Sequence, residues 1–343
     1  MGLDKMATID VKALYDKLNE SAEQLSKSLD ISYLEALAET GENILDNKTT
    51  RVLDGRPDAK IVEKLNTLYE SIDYSNLSSE DIRQGFQLVL IQATKSDYVQ
   101  MNHQITPDTL GLLVSYLIQI TDKAPDSPLS ILDLGTGSGN LLFTVYNQLV
   151  NRNNRVVRGE GVEIDDLLLS IASSSMEMQG LENVTLTMQD ALTNLLIDPV
   201  DVVMSDVPIG YYPDDEHAKT FETALDEGHS YSHFLFIEQG LRYLKEDGFG
   251  FFIVPSRIFE LEESKKLIQH IQSVGYFQGL IQLPKSFVSN EDLQQSILFL
   301  QKQGKSSKQA NEVLISTAPE FSQTIQFQKF LDDVLLWKRN NII

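Results

Sequence analysis

Asp133-Leu134-Gly135-Thr136-Gly137-Ser138-Gly139-Asn140 decides the fold. It follows a short apolar run, Ser130-Ile131-Leu132-Asp133-Leu134, and precedes an amphipathic stretch from Leu141 to Val150. A glycine turn thus joins a buried strand to a helix. Glycines there permit a tight turn and let a ligand approach the backbone closely. The alternation continues outward. Val156-Val157-Arg158-Gly159-Glu160-Gly161-Val162-Glu163 predicts a second strand, 166–178 a helix, 184–188 a third strand and 200–205 a fourth. A helix is predicted over 234–244 and a fifth strand over 250–254. Buried strands alternating with helices predict an α/β fold, a mostly parallel sheet covered on both faces. Residues 278–283 and 296–301 lack a long helix between them and predict an antiparallel pair closing one edge.

Residues 1 to about 95 read as helical. Val11, Leu14, Leu18, Leu25 and Leu29 recur at helical spacing. Leu34, Leu37 and Leu45 predict a second helix, and Ile61, Leu65 and Leu68 a third. Phe86, Leu88, Val89, Leu90 and Ile91 predict a buried fourth. Two domains are expected, a helical one at 1–96 and an α/β one at 97–343. The helical domain either packs on the larger one or serves as a partner-binding or substrate-covering cap.

Composition narrows the function. The 343 residues hold 28 Lys+Arg against 50 Asp+Glu, a net charge of −22. A protein gripping duplex DNA by itself usually shows a basic field, whereas this one repels a polyanion at long range. The absence of cysteine excludes disulfides, thiolate catalysis and cysteine-ligated metal centres. No apolar run reaches the roughly 18 residues of a membrane span, and residues 1–14 lack the apolar stretch of a signal peptide. The default location is the cytoplasm, with no membrane partner expected. The histidines show no metal spacing, and no metal site is expected. Arg152, Arg155 and Arg158 read as solvated charge.

Two acids specify the ligand. Glu163, ending the second strand, can accept both ribose hydroxyls of a nucleoside. Asp190, in Gln189-Asp190-Ala191 after the third strand, can accept from an adenine amino group. Asn140 stands where a dinucleotide fingerprint has its third glycine, and no Walker lysine is present. Asp133 sits badly beside a pyrophosphate and suits a ligand with a cationic ammonium and sulfonium. The logic points to S-adenosyl-L-methionine rather than NAD.

These motifs resemble class I S-adenosylmethionine-dependent methyltransferases over about residues 98–303. The resemblance implies a Rossmann-like seven-stranded sheet with the last strand antiparallel. It implies a cofactor site of Thr106, Asp133, Gly135, Gly137, Gly139, Glu163, Ile164, Asp190, Ala191 and Asp206, with Ile164 packing on adenine. Ser205-Asp206-Val207-Pro208-Ile209-Gly210-Tyr211-Tyr212-Pro213 resembles the Asn/Asp/Ser-Pro-Pro-aromatic loop of amino-methyltransferases, especially those acting on adenine N6. Asn102-His103-Gln104-Ile105-Thr106-Pro107 and Val254-Pro255-Ser256-Arg257 resemble the modification subunits of type I restriction systems, here without a target-recognition domain. The implied catalytic residues are Asp206, which accepts an amino hydrogen, Pro208, which shapes the loop, and Tyr211, which stacks on the acceptor. DNA is the implied partner, against the net charge, and the helical domain offers a surface for a protein partner. The loop departs from the pattern at Val207 and Ile209. RNA, a protein glutamine or a small amine therefore remain alternative acceptors, as does a cofactor-binding interaction module without catalysis.

Overall fold

The structure, a computed structural model, describes residues 3–96, 105–153, 155–285 and 294–342. Asn102, His103 and Gln104 of the Thr-Pro segment lie outside them. The helical domain comprises α1 (Leu3–Leu29), α2 (Tyr33–Leu45), α3 (Ala59–Glu70) and α4 (Ser79–Ser96). Ser32 and Glu35 form a reciprocal capping box at the start of α2, and Asp58 caps α3 through Lys60 N and Ile61 N. Leu14, Leu18 and Leu25 of α1 bury against Leu37, Leu65, Phe86 and Val89. Leu168 and Ile171 of the α/β domain complete that core, so the bundle packs on the larger domain rather than standing apart. Of the five apolar positions that predict the fourth helix, Phe86, Val89 and Leu90 turn inward, whereas Leu88 and Ile91 are exposed.

The larger domain runs α5 (Asp108–Thr121), β1 (Leu129–Leu134), α6 (Asn140–Asn153), β2 (Val157–Glu163), α7 (Asp166–Gln179), β3 (Val184–Met188) and β4 (Val200–Asp206). It continues with α8 (Asp215–Ala218), α9 (Ser232–Tyr243), β5 (Leu244–Pro255), α10 (Ser264–Val274), β6 (Gly275–Gln282), β7 (Gln295–Lys302), β8 (Leu314–Thr317) and α11 (Thr324–Asn341). The eight strands order as β3-β2-β1-β4-β5-β7-β6-β8. Only β7 runs against the others. The antiparallel β6–β7 pair forms as expected, but it does not close the edge. An eighth strand, β8, adds in parallel to β6 and corrects the seven-stranded expectation. Its four residues are short, and Ile315 is exposed, so no apolar alternation marks them.

Strand alternation sorts the core. Ile131, Met204 and Phe251 pack with α5 and α6 on one face, whereas Leu132, Val203 and Phe252 pack with α9 and α10 on the other. The strand order reverses between β1 and β4, the kind of switch point at which open α/β sheets bind ligands in a crevice beyond the carboxyl ends of the strands. One charge reading is corrected. Arg155 is not solvated: its side chain is 6% exposed and ion-paired to Asp122, and it donates to the Ser127 and Ala124 carbonyls. Among the described residues no helix is long and apolar enough to cross a membrane.

Candidate functional site

The turn after β1 is built by its glycines. Gly135, Gly137 and Gly139 have φ of +74°, +56° and +84°, the region that L side chains avoid. A Cβ on Gly139 would lie 2.2 Å from the Phe143 ring, so the start of α6 also requires the missing side chain. A Cβ on Gly137 would meet nothing within 4 Å, which leaves that flank of the turn open to a ligand. Gly135 N and Thr136 N donate to Val162 O at 2.9 and 3.0 Å and tie the turn to β2.

Asp133 lies beneath the turn, 1% exposed, and neither carboxylate oxygen makes a hydrogen bond. Burial pushes its carboxyl up to about 8, opposed by the Thr136 side chain and reinforced by the nearby Asp206 and Glu163 carboxylates. A buried, unpaired acid is costly unless a cation or donor completes it. Glu163, at the end of β2, spends its carboxylate on the backbone. Oε2 accepts from Gly137 N at 2.6 Å, and Oε1 accepts from Ile164 N and Asp165 N at 2.8 and 2.9 Å. It therefore also locks the turn, a role its position alone did not reveal. Ile164 is 65% exposed beside it, an apolar platform at the rim.

Asp190 is half-buried after β3. Its Oδ1 accepts from Leu192 N at 2.9 Å and its Oδ2 from the Tyr212 hydroxyl at 2.6 Å. Ala191 is buried next to it. Tyr212 belongs to the loop after β4, so one hydrogen bond joins that loop to the Asp190 turn. Its ring is buried and does not offer itself for stacking.

Asp206 ends β4. Thr106 Oγ1 donates to its Oδ2 at 2.7 Å, and Oδ1 has no partner among the described residues. Burial raises the Asp206 carboxyl to about 6, opposed by that bond. The resemblance implies a cofactor role for Thr106; in the structure its hydroxyl donates to Asp206. Val207 is buried and its N–H continues the ladder to Ile253 O at 3.2 Å, while Pro208 is half-buried behind it. Tyr211 is 58% exposed and stacks on Tyr231 with centroids 5.0 Å apart and planes at 23°. Tyr231 in turn lies 5.2 Å from the His233 ring. His233 is buried, and burial pushes its imidazole down to about 4, so it is neutral and packs. His229 precedes α9, and its Nδ1 lies 2.9 Å from Asp215 Oδ1.

The site fits a nucleoside with a cationic tail: an open glycine flank, an orphaned buried acid, acids at the ends of β2 and β3, and an exposed apolar rim. The comparisons agree. Residues 90–333 match the N-6 DNA Methylase family, and residues 12–94 match the YtxK N-terminal helical domain. The chain is 42% identical over 314 residues to the uncharacterized protein YtxK of Bacillus subtilis, covering 91% of this chain and 92% of that protein. It is 41% identical to a Listeria monocytogenes protein whose crystal structure is described as that of a candidate class I S-adenosylmethionine-dependent methyltransferase, with a TM-score of 0.88 and coverage of 96% and 98%. The methyltransferase subunit of a type I restriction–modification system from Streptococcus thermophilus shares the fold at a TM-score of 0.64 and 16% identity, over 97% of this chain and 74% of that one. S-adenosyl-L-methionine is the cofactor of this class of fold. Glycine turn, switch-point crevice and sequence match converge: the chain belongs to the N-6 DNA methylase family of S-adenosylmethionine-dependent methyltransferases.

Proposed function

We propose that the protein transfers a methyl group to an exocyclic amino nitrogen, with adenine N6 in DNA as the acceptor. The observation that carries this reading is Asp206. It ends the strand next to β1, with one oxygen held by Thr106 and the other without a partner among the described residues. An exocyclic amine is a poor nucleophile because its lone pair is delocalised into the ring. Asp206 Oδ1 accepts one amino hydrogen, and a backbone carbonyl of the Val207-Pro208 turn accepts the other. This aims the nitrogen and stabilises the positive charge that develops on it. The bound cofactor supplies an electrophilic methyl carbon on a sulfonium sulfur. Asp133 would hold the cationic end of that ligand, Glu163 its ribose, Ile164 its adenine ring and Asp190 its adenine amino group. The C–N bond forms as the C–S bond breaks, and the extra proton leaves to water. We assign Tyr211, which is exposed and stacked on Tyr231, to stack on an extruded base.

A second reading has its own support. The segment between β4 and α9, residues 207–231, carries Asp214, Asp215, Glu216, Glu222, Asp226 and Glu227 against Lys219 alone. Such a rim favours a neutral or cationic acceptor, such as a protein amide or amine. The full chain is incubated with methyl-labelled cofactor and cell extract, then digested with nuclease or protease. Nuclease-sensitive label recovered as N6-methyladenine is expected. Protease-sensitive label supports the second acceptor, and no label transfer from folded protein contradicts both.

A further inference from the structure

We infer that Arg83, on the helical domain, is a positioning residue for the Asp206 carboxylate, acting through Asn140 and Thr106. The inference rests on the proposed role of Asp206. Arg83 is 2% exposed, and all five of its N–H groups are engaged. Nε and Nη2 donate to Glu80 at 2.8 and 2.6 Å, and Nη1 and Nη2 donate to Asp108 at 2.7 and 2.9 Å. Nη1 also donates to Asn140 Oδ1 at 2.7 Å. Glu80 and Arg83 lie on α4, Asp108 opens α5, and Asn140 ends the glycine turn.

A guanidinium has donors and no acceptor. It therefore fixes which way the Asn140 amide faces: oxygen toward Arg83, nitrogen away. The nitrogen donates to Thr106 O at 2.6 Å and to Asp108 Oδ1 at 3.2 Å. Thr106, so held, directs its hydroxyl onto Asp206 Oδ2 at 2.7 Å. A buried ion pair is a weak source of stability, because an apolar cluster of similar volume serves packing as well. What only this arrangement supplies is direction: a relay of oriented donors from the helical domain to the acceptor carboxylate. Arg83 had a signal in the sequence, a lone cation between Ile82 and Phe86 on the apolar stripe of α4.

The test follows the titration of Asp206 in the full chain by carboxyl-carbon NMR. Asp206→Asn assigns the resonance, and Asp133→Asn separates the neighbouring acid. Thr106→Val removes the hydroxyl and is expected to raise the Asp206 midpoint by about one pH unit. Arg83→Lys keeps the charge but not the fork. It is expected to raise the midpoint similarly, with no further rise in the double variant. Asn140→Leu cuts the relay while leaving the ion pairs in place, and covers the case in which Arg83→Lys does not fold; the same rise is expected. A midpoint that stays put in Arg83→Lys or Asn140→Leu while Thr106→Val moves it overturns the inference, even if thermal stability falls. The titration needs neither cofactor nor methyl acceptor, so failure of the proposed reaction would register separately.

Discussion

Asp206 and Asp133 are two acids in one crevice under different pressures. At Asp206 burial raises the carboxyl to about 6 and the Thr106 hydroxyl pulls it back, so at neutral pH it is mostly ionised and accepts hydrogens. Methyl transfer is expected to decline as pH falls through 6. Asp206→Asn keeps an acceptor oxygen and is expected to stay active without that acid limb, while Asp206→Ala loses about 100-fold or more. A pH–rate profile of the three proteins checks this. Asp133, pushed to about 8, is protonated at neutral pH before any ligand arrives. A cationic ligand favours the carboxylate, so binding releases a proton, and affinity is expected to rise with pH up to about 8 and then level off. Calorimetry in buffers of different ionisation enthalpy measures that proton, and Asp133→Asn is expected to abolish it. Without ligand the sign reverses. A folded value above the ordinary one means stability is lost as pH rises through about 8. The glycines and Asp133 were legible in sequence because positive φ and burial next to a strand have local causes. The Thr106–Asp206 bond was not, because its partners are 100 residues apart and only the fold brings them together.

Between elements, the Tyr212–Asp190 bond ties the loop after β4 to the turn after β3. Tyr212→Phe removes a donor to a carboxylate and is expected to weaken cofactor binding about tenfold, read by titration calorimetry. The docking of α2 on α7 is equally specific. A Cβ at Gly41 would lie 2.6 Å from Ser174 Cβ and Oγ, so the two helices touch through a glycine. Gly41→Val is expected to cost about 1–3 kcal/mol, measured by denaturant unfolding. Strands such as β5 and β7 were legible because the apolar runs at 251–254 and 297–300 are continuous, and β2 and β3 because periodic helices flank them. β8 was not, because four residues with an exposed Ile315 bury too little to show a pattern. Arg155 misled for a related reason: a cation in a polar stretch reads as solvated, and only Asp122 and the Ser127 and Ala124 carbonyls make its burial favourable.

Across the whole molecule, the helical domain and the α/β domain share an apolar core and the buried Arg83–Asn140 hydrogen bond. The charge of −22 leaves no long-range attraction for nucleic acid, so any DNA contact rests on the crevice itself or on a basic partner. The proposed reaction requires the crevice between β1 and β4 to take up the cofactor, and we assign that uptake to the glycine turn and Glu163. Isothermal titration of the full chain with S-adenosylhomocysteine, beside Glu163→Ala, measures this most directly. One molecule is expected to bind per wild-type chain, with affinity lower by about 100-fold in the variant, the loss of two charge-assisted hydrogen bonds. No uptake by the folded wild type, or equal affinity in both proteins, contradicts it.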